Sequence, residues 1–91
     1  MAYRAVFKPS FLKDLTHGPK PIQLRCELVV DDIIEDPFAR SAKKLGGYDG
    51  LYRLRLGDYR LVYYVNHREQ KISFLFVGHR KDIYRHLKQY Q

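Results

Sequence analysis

At 91 residues, 45% of them hydrophobic and with eight tyrosines and five phenylalanines, the chain has the makings of one small folded domain, 1–91, and is too apolar to be disordered. It has no stretch long and apolar enough to span a membrane, and no apolar segment follows Arg4 and Lys8 as a secretion signal requires, so a cytoplasmic location is expected. The net charge of +7 is lopsided: residues 1–36 hold five Lys and Arg against six Asp and Glu, residues 37–91 twelve against four, a basic half that points to nucleic acid or an acidic protein partner, with solubility alone as the bland alternative.

Ala2–Phe7 alternates as a short first strand does. Pro9 and Ser10 open a helix over Ser10–Thr16 with Phe11, Leu12 and Leu15 inward, and Gly18-Pro19 stop it. Pro21 suits the first turn of a second helix. There Ile22, Cys26, Val29, Val30, Ile33 and Ile34 form one apolar stripe, and Pro37 ends the run. Cys26 sits on that stripe, where packing is a better reading than nucleophilic chemistry. A single cysteine allows no intramolecular disulfide and no cysteine metal cluster. The opposite side carries Glu27, Asp31, Asp32 and Glu35, a solvated face; divalent-metal or paired-carboxylate chemistry would need a second acidic cluster.

A basic connector, Arg40–Lys44, leads through Gly46-Gly47-Tyr48 to the most informative segment, Leu51–Val65. Two alternating runs flank Gly57-Asp58, the signature of a hairpin with a two-residue II′ or I′ turn. The turn sets Leu56 opposite Tyr59, Arg55 opposite Arg60, Leu54 opposite Leu61, Arg53 opposite Val62 and Tyr52 opposite Tyr63. Tyr52, Leu54, Leu61 and Tyr63 then face the core, and Arg53, Arg55 and Arg60 share the other face. Like charges directly opposite in a hairpin are destabilising. A face that tolerates them is suited to an anion, and the forked donors of arginine favour phosphate.

Asn66–Lys71 reads as a polar turn. Lys71–Val77 reads as a central strand, with Ile72, Phe74 and Phe76 on one face and Leu75 and Val77 on the other. Asp82–Tyr90 forms a short C-terminal helix or tail with Ile83 and Leu87 at i, i+4. The result is an α+β fold: a small antiparallel sheet with two N-terminal helices packed on it, in the order β-α-α-β-β-β plus a C-terminal helical segment. Connectivity brings Arg55, Arg60 and Arg80 to one edge of the sheet. Tyr84 either overhangs that patch or anchors the C-terminal segment. His79 is either a group titrating near neutral pH or a polar strand end. His17, His67 and His86 have no ligand spacing, and no glycine-rich phosphate loop precedes a helix.

Lys44–Tyr64 and Val77-Gly-His-Arg-Lys-Asp-Ile-Tyr84 together resemble the RelE toxins of the RelE/ParE superfamily, over nearly the whole chain. The resemblance implies a ribosome-dependent endoribonuclease that cuts mRNA in the decoding site, without metal or cofactor, held inactive by a RelB-like antitoxin. Carried over residue by residue, it makes Arg53, Arg55, Arg60, Arg80 and Tyr84 the catalytic set. Lys43, Lys44, His79 and Lys81 are expected to bind RNA or the small ribosomal subunit. The usual pattern has lysines where this chain has Arg53 and Arg55, and arginine is a poor general base but a good clamp for phosphate charge. The spacing from Arg80 to Tyr84 is also shorter than in some members. The competing expectations are a ParE-like gyrase inhibitor that cuts nothing and a non-catalytic module that binds RNA or an antitoxin.

Overall fold

A computed structural model describes residues 2–38 and 42–90. Its elements are β1 (Arg4–Phe7), α1 (Pro9–His17), α2 (Lys20–Glu35), β2 (Lys43–Lys44), β3 (Leu51–Leu56), β4 (Tyr59–Asn66), β5 (Lys71–His79) and α3 (Ile83–Tyr90). The strands form one sheet in the order β1-β5-β4-β3-β2. The α+β class holds, with two corrections. The sheet is mixed, because β1 runs parallel to β5, and it has a fifth strand, because Lys43–Lys44 pairs with Arg53 and Tyr52. Arg40, in the expected basic connector, lies outside the described residues.

Prolines and glycines set the helix boundaries. Pro9 sits in the first turn of α1, where its missing N–H costs nothing, and Pro21 does the same for α2. Asp36, just before Pro37, is extended at φ −151° and ψ 105°, as the residue before proline must be, and α2 ends there. Tyr63 then ties this end to the sheet by donating its hydroxyl proton to the Pro37 carbonyl at 3.0 Å.

The hairpin has the expected register throughout, from Leu56 opposite Tyr59 to Tyr52 opposite Tyr63. Gly57 has φ +62° and Asp58 does not share a positive φ, which makes the turn type II′.

Helices cover both faces of the sheet. On one side α1 and α2 bury Phe11, Cys26, Val30 and Ile33 against Leu54, Leu61, Tyr63 and Phe74. On the other, Ile83 and Leu87 of α3 close over Leu45, Leu51, Val62 and Leu75. Burying a leucine- or isoleucine-sized side chain contributes about 1.5–3 kcal/mol, so α3 is a packed element. Leu12 was expected inside but is 49% exposed. Phe11 and Leu15, four apart, take the inward line of α1, and Leu12 lies about 100° around the helix from Phe11.

β5 departs from simple alternation. Val62 pairs with Phe76 and the next residue, Tyr63, pairs with Phe74, so Leu75 is an extra residue in a bulge. Beyond it the faces exchange. Phe76 joins Leu75 on the α3 side, and Val77 joins Ile72 and Phe74 on the α1–α2 side. The expected faces of Phe76 and Val77 are thus reversed. Along the same stretch β1 has ended, and α1 takes over its edge. Ser10 Oγ donates to the Leu75 carbonyl at 2.7 Å, and the Val77 N–H donates to Asp14 Oδ2 at 3.3 Å. A helix thereby satisfies backbone groups that would otherwise be an open sheet edge. Among the described residues, no helix is long and apolar enough to cross a membrane.

Candidate active site

The register fixes the basic face before any side chain is placed. Arg53 and Arg55 alternate on β3, Arg60 lies opposite Arg55, and β2 sets Lys43 opposite Arg53. Lys43, Arg53, Arg55 and Arg60 line one cleft of about 160 Å³, and among the described residues every one that lines it is a cation. The Coulomb energy of two unit charges 4 Å apart is about 1 kcal/mol in water and about 4 kcal/mol at an effective dielectric of 20. The cleft therefore holds its cations together against repulsion that an entering anion would relieve.

The arginines are oriented by the turn beside them. Arg60 Nη1 donates to the carbonyl oxygens of Gly57 and Tyr59, both at 3.0 Å, and Arg55 Nε donates to the Gly57 carbonyl at 3.3 Å. One backbone carbonyl thus draws two guanidinium groups to the same side of the hairpin tip. Arg53 and Arg60 are half-buried, while Arg55 is exposed. Arg53 Nη1 donates to the hydroxyl of Tyr84 in α3. Tyr84 is 51% exposed, and this bond ties the first turn of α3 to the basic face.

The remaining expected residues divide. The Arg80 N–H donates to the Asp58 carbonyl at 2.8 Å, which sets Arg80 beside the hairpin tip. Its exposed side chain is not among those lining the arginine cleft. Lys44 pairs with Tyr52 and contributes to a neighbouring cleft of about 380 Å³ beneath α3. Lys81 is exposed, and its N–H donates to His79 Nδ1 at 3.2 Å. His79 itself is not part of the basic site. It pairs with Tyr59, meets that ring edge-on at 5.6 Å, and lines a separate cleft with Asp14, His17 and His86. The bulge at Leu75 is the cause: a one-residue slip sends every later side chain to the opposite face.

The apolar stripe of α2 holds Cys26 at 0% exposure. Burial, with Glu27 adding to it, pushes the thiol up to about 11, so it stays protonated and unreactive at neutral pH. Burial also raises Tyr63, with Tyr52 contributing.

Two features escaped the sequence. Tyr48, on the loop before β3, lines the 380 Å³ cleft with Arg53, Tyr84 and Lys88. On the far side, Phe7 and Leu12 are exposed beside an apolar groove of about 410 Å³ between α1 and α2. Leu24 and Leu28 of α2 are exposed as well, but they do not line this groove.

Comparison with known proteins agrees with this architecture. A family described as the ParE toxin of type II toxin–antitoxin system, parDE, matches residues 5–84. Toxin RelE3 of Methanocaldococcus jannaschii is 35% identical over 85 residues, covering 89% of this chain and 94% of the relative. The toxin chain in the crystal structure of the RelB–RelE antitoxin–toxin complex from Methanococcus jannaschii superposes with a TM-score of 0.76 at 34% identity, over 89% of this chain and 96% of that one. The archaeal RelE–RelB complex from Pyrococcus horikoshii OT3 gives the same TM-score and identity, over 88% of this chain and 97% of its counterpart.

Proposed function

This chain belongs to the RelE/ParE superfamily of type II toxins, on the RelE side, and from that premise we propose that it is a ribosome-dependent endoribonuclease acting on mRNA. The observation that carries the reading is the cleft of Lys43, Arg53, Arg55 and Arg60, with Tyr84 hydrogen-bonded at its side.

In the proposed reaction the ribose 2′-OH attacks the adjacent phosphate. A new P–O bond forms to the 2′ oxygen, the bond to the 5′ oxygen breaks, and the products are a 2′,3′-cyclic phosphate and a 5′-OH. The 2′-OH proton passes to a water molecule, and a water molecule protonates the departing 5′ oxygen, so the step is neutral in protons. Arg53 and Arg55 hold the phosphate, and Arg60 stabilises the charge that builds on it in the transition state. Arg80, exposed beside the hairpin tip, supplies positive charge near the leaving oxygen. With four cations to offset the phosphate, no metal is required by this scheme. Guanidinium groups are permanently protonated and do not take the proton. His79 lines a separate cleft with Asp14 and His17, and this scheme assigns it no proton. Tyr84 orients the 2′-OH or stacks on a base. Alignment of the message by the ribosome lowers the demand on any base, which is why the activity is read as ribosome-dependent.

The archaeal relatives crystallised with RelB antitoxins support a RelB-like partner that holds this toxin inactive. The ParE description of the matching family favours a second reading, inhibition of gyrase without RNA cleavage.

Primer extension on a reporter message in a purified translation system tests both. Codon-phased cuts that need ribosomes and vanish in Arg60→Ala are expected. An uncut message, together with inhibited DNA supercoiling, would overturn the nuclease in favour of the gyrase reading.

A further inference from the structure

We infer that the cleft beneath α3 is a nucleobase subsite, in which the ring of Tyr48 stacks on the base next to the phosphate held by the arginines. The inference rests on the nuclease reading and adds a recognition element to it. The two clefts differ in the way a phosphate site and a base site should. The first is small, about 160 Å³, and its described lining residues are all cations. The second is about 380 Å³ and mixed: Leu45 and Leu87 are buried, Tyr48 and Tyr84 provide aromatic surface, and Lys88 sits at the rim. Among the described residues, no acidic one lines it. Aromatic faces interleaved with cations are how proteins hold single-stranded nucleic acid, because every base offers a π-face.

Arg53 belongs to both clefts and joins them, so a chain whose phosphate lies among the arginines has its neighbouring nucleoside at the second cleft. Tyr48 is carried on a closed loop. The Leu45 N–H donates to the Leu51 carbonyl at 2.9 Å, and the Tyr48 N–H donates to the Leu45 carbonyl at 3.3 Å. Gly47, at φ +82°, permits the tight path between them. A ring held this way loses little freedom when a base stacks on it.

The test is fluorescence anisotropy with labelled RNA trinucleotides made uncleavable by 2′-O-methyl groups, each with one base removed in turn. For wild type, removal at one position should weaken binding between about fivefold and a hundredfold, the range of one base–aromatic stack. Tyr48→Ala should lose most of that discrimination, and Tyr48→Phe should keep it. Tyr48→Ala discriminating as well as wild type would overturn the subsite. Lys88→Ala, on the exposed side of α3, should weaken only trinucleotides that carry a terminal phosphate beyond the stacked base; equal weakening of all would count against it. Arg60→Ala reports on the nuclease reading beneath, because it should weaken base-bearing and abasic RNA alike. Unchanged affinity in that variant would overturn the phosphate site, and with it a base placed beside that phosphate.

Discussion

The guanidinium of Arg53 donates to the hydroxyl of Tyr84, joining the middle of β3 to the first turn of α3 where two clefts meet. The bond makes the position of the C-terminal helix and the aim of Arg53, proposed to hold phosphate, one structural fact. Tyr84→Phe keeps the ring and removes the acceptor. Hydrogen bonds to charged groups contribute about 1.5–3 kcal/mol when buried, and this one is half-exposed. Cleavage in the translation assay should therefore fall on the order of tenfold, while stability changes by no more than about 0.5 kcal/mol, as for surface substitutions. Cleavage at the wild-type rate would show that Arg53 needs no such restraint.

Arg55 facing Arg60 is a stability cost kept for a site. Arg55→Thr should raise stability by about 0.5 kcal/mol in low salt, the scale of a cross-strand pair. The gain should vanish at about 1 M salt, where screening acts within about 3 Å. RNA cleavage should fall in the same variant. Denaturant melts at two salt concentrations measure the first effect, and a gain that persists in high salt would refute its electrostatic origin.

Gly50 holds φ +78°, and a Cβ there would meet Tyr64 Cε1 at 2.6 Å and the Val65 carbonyl oxygen at 3.3 Å. Gly50→Ala should destabilise by about 1–3 kcal/mol from backbone strain alone, with displacement of the Tyr64 ring adding to it. A thermal midpoint equal to wild type would show that the loop relaxes freely.

Alkaline pH should unfold the protein through its buried acids. Cys26 is raised from 9.0 to about 11, and Tyr63 is raised from 10.0. Between the unfolded and folded values the native chain keeps a proton that the unfolded chain has released, so stability falls as pH rises. The contribution is complete below about pH 9 and declines through pH 11, at no more than about 1.4 kcal/mol per pH unit for the thiol. Cys26→Ala should flatten that first decline while lowering the midpoint at neutral pH. Melts from pH 7 to 11 read both, and an unaltered slope would remove Cys26 from the account.

Legibility in the sequence followed the strength of local periodicity. The hairpin register was readable because alternation ran unbroken to Gly57-Asp58, and a two-residue turn leaves one pairing. That alone brought Arg53, Arg55 and Arg60 together. β2 was not readable, because two residues hold no period, and so Lys43 gained its place opposite Arg53 only in the fold. The bulge was hidden for a different reason. Leu75, Phe76 and Val77 are all apolar, so a slip among them leaves the hydrophobic pattern unchanged while turning His79 away from the arginines. Leu12 shows a third limit, since a nine-residue helix offers too few turns to show which leucine faces inward.

The acidic outer side of α2, with Glu27, Asp31 and Glu35 exposed, and the arginine cleft lie on opposite faces of one sheet, in a molecule whose longest extent is 31 Å. Charge so divided gives the protein a dipole across the sheet. Near a polyanion it is subject to a torque as well as an attraction, once within reach of the screened field, about 8 Å at physiological ionic strength. The molecule turns before it touches, and arrives with the arginines leading.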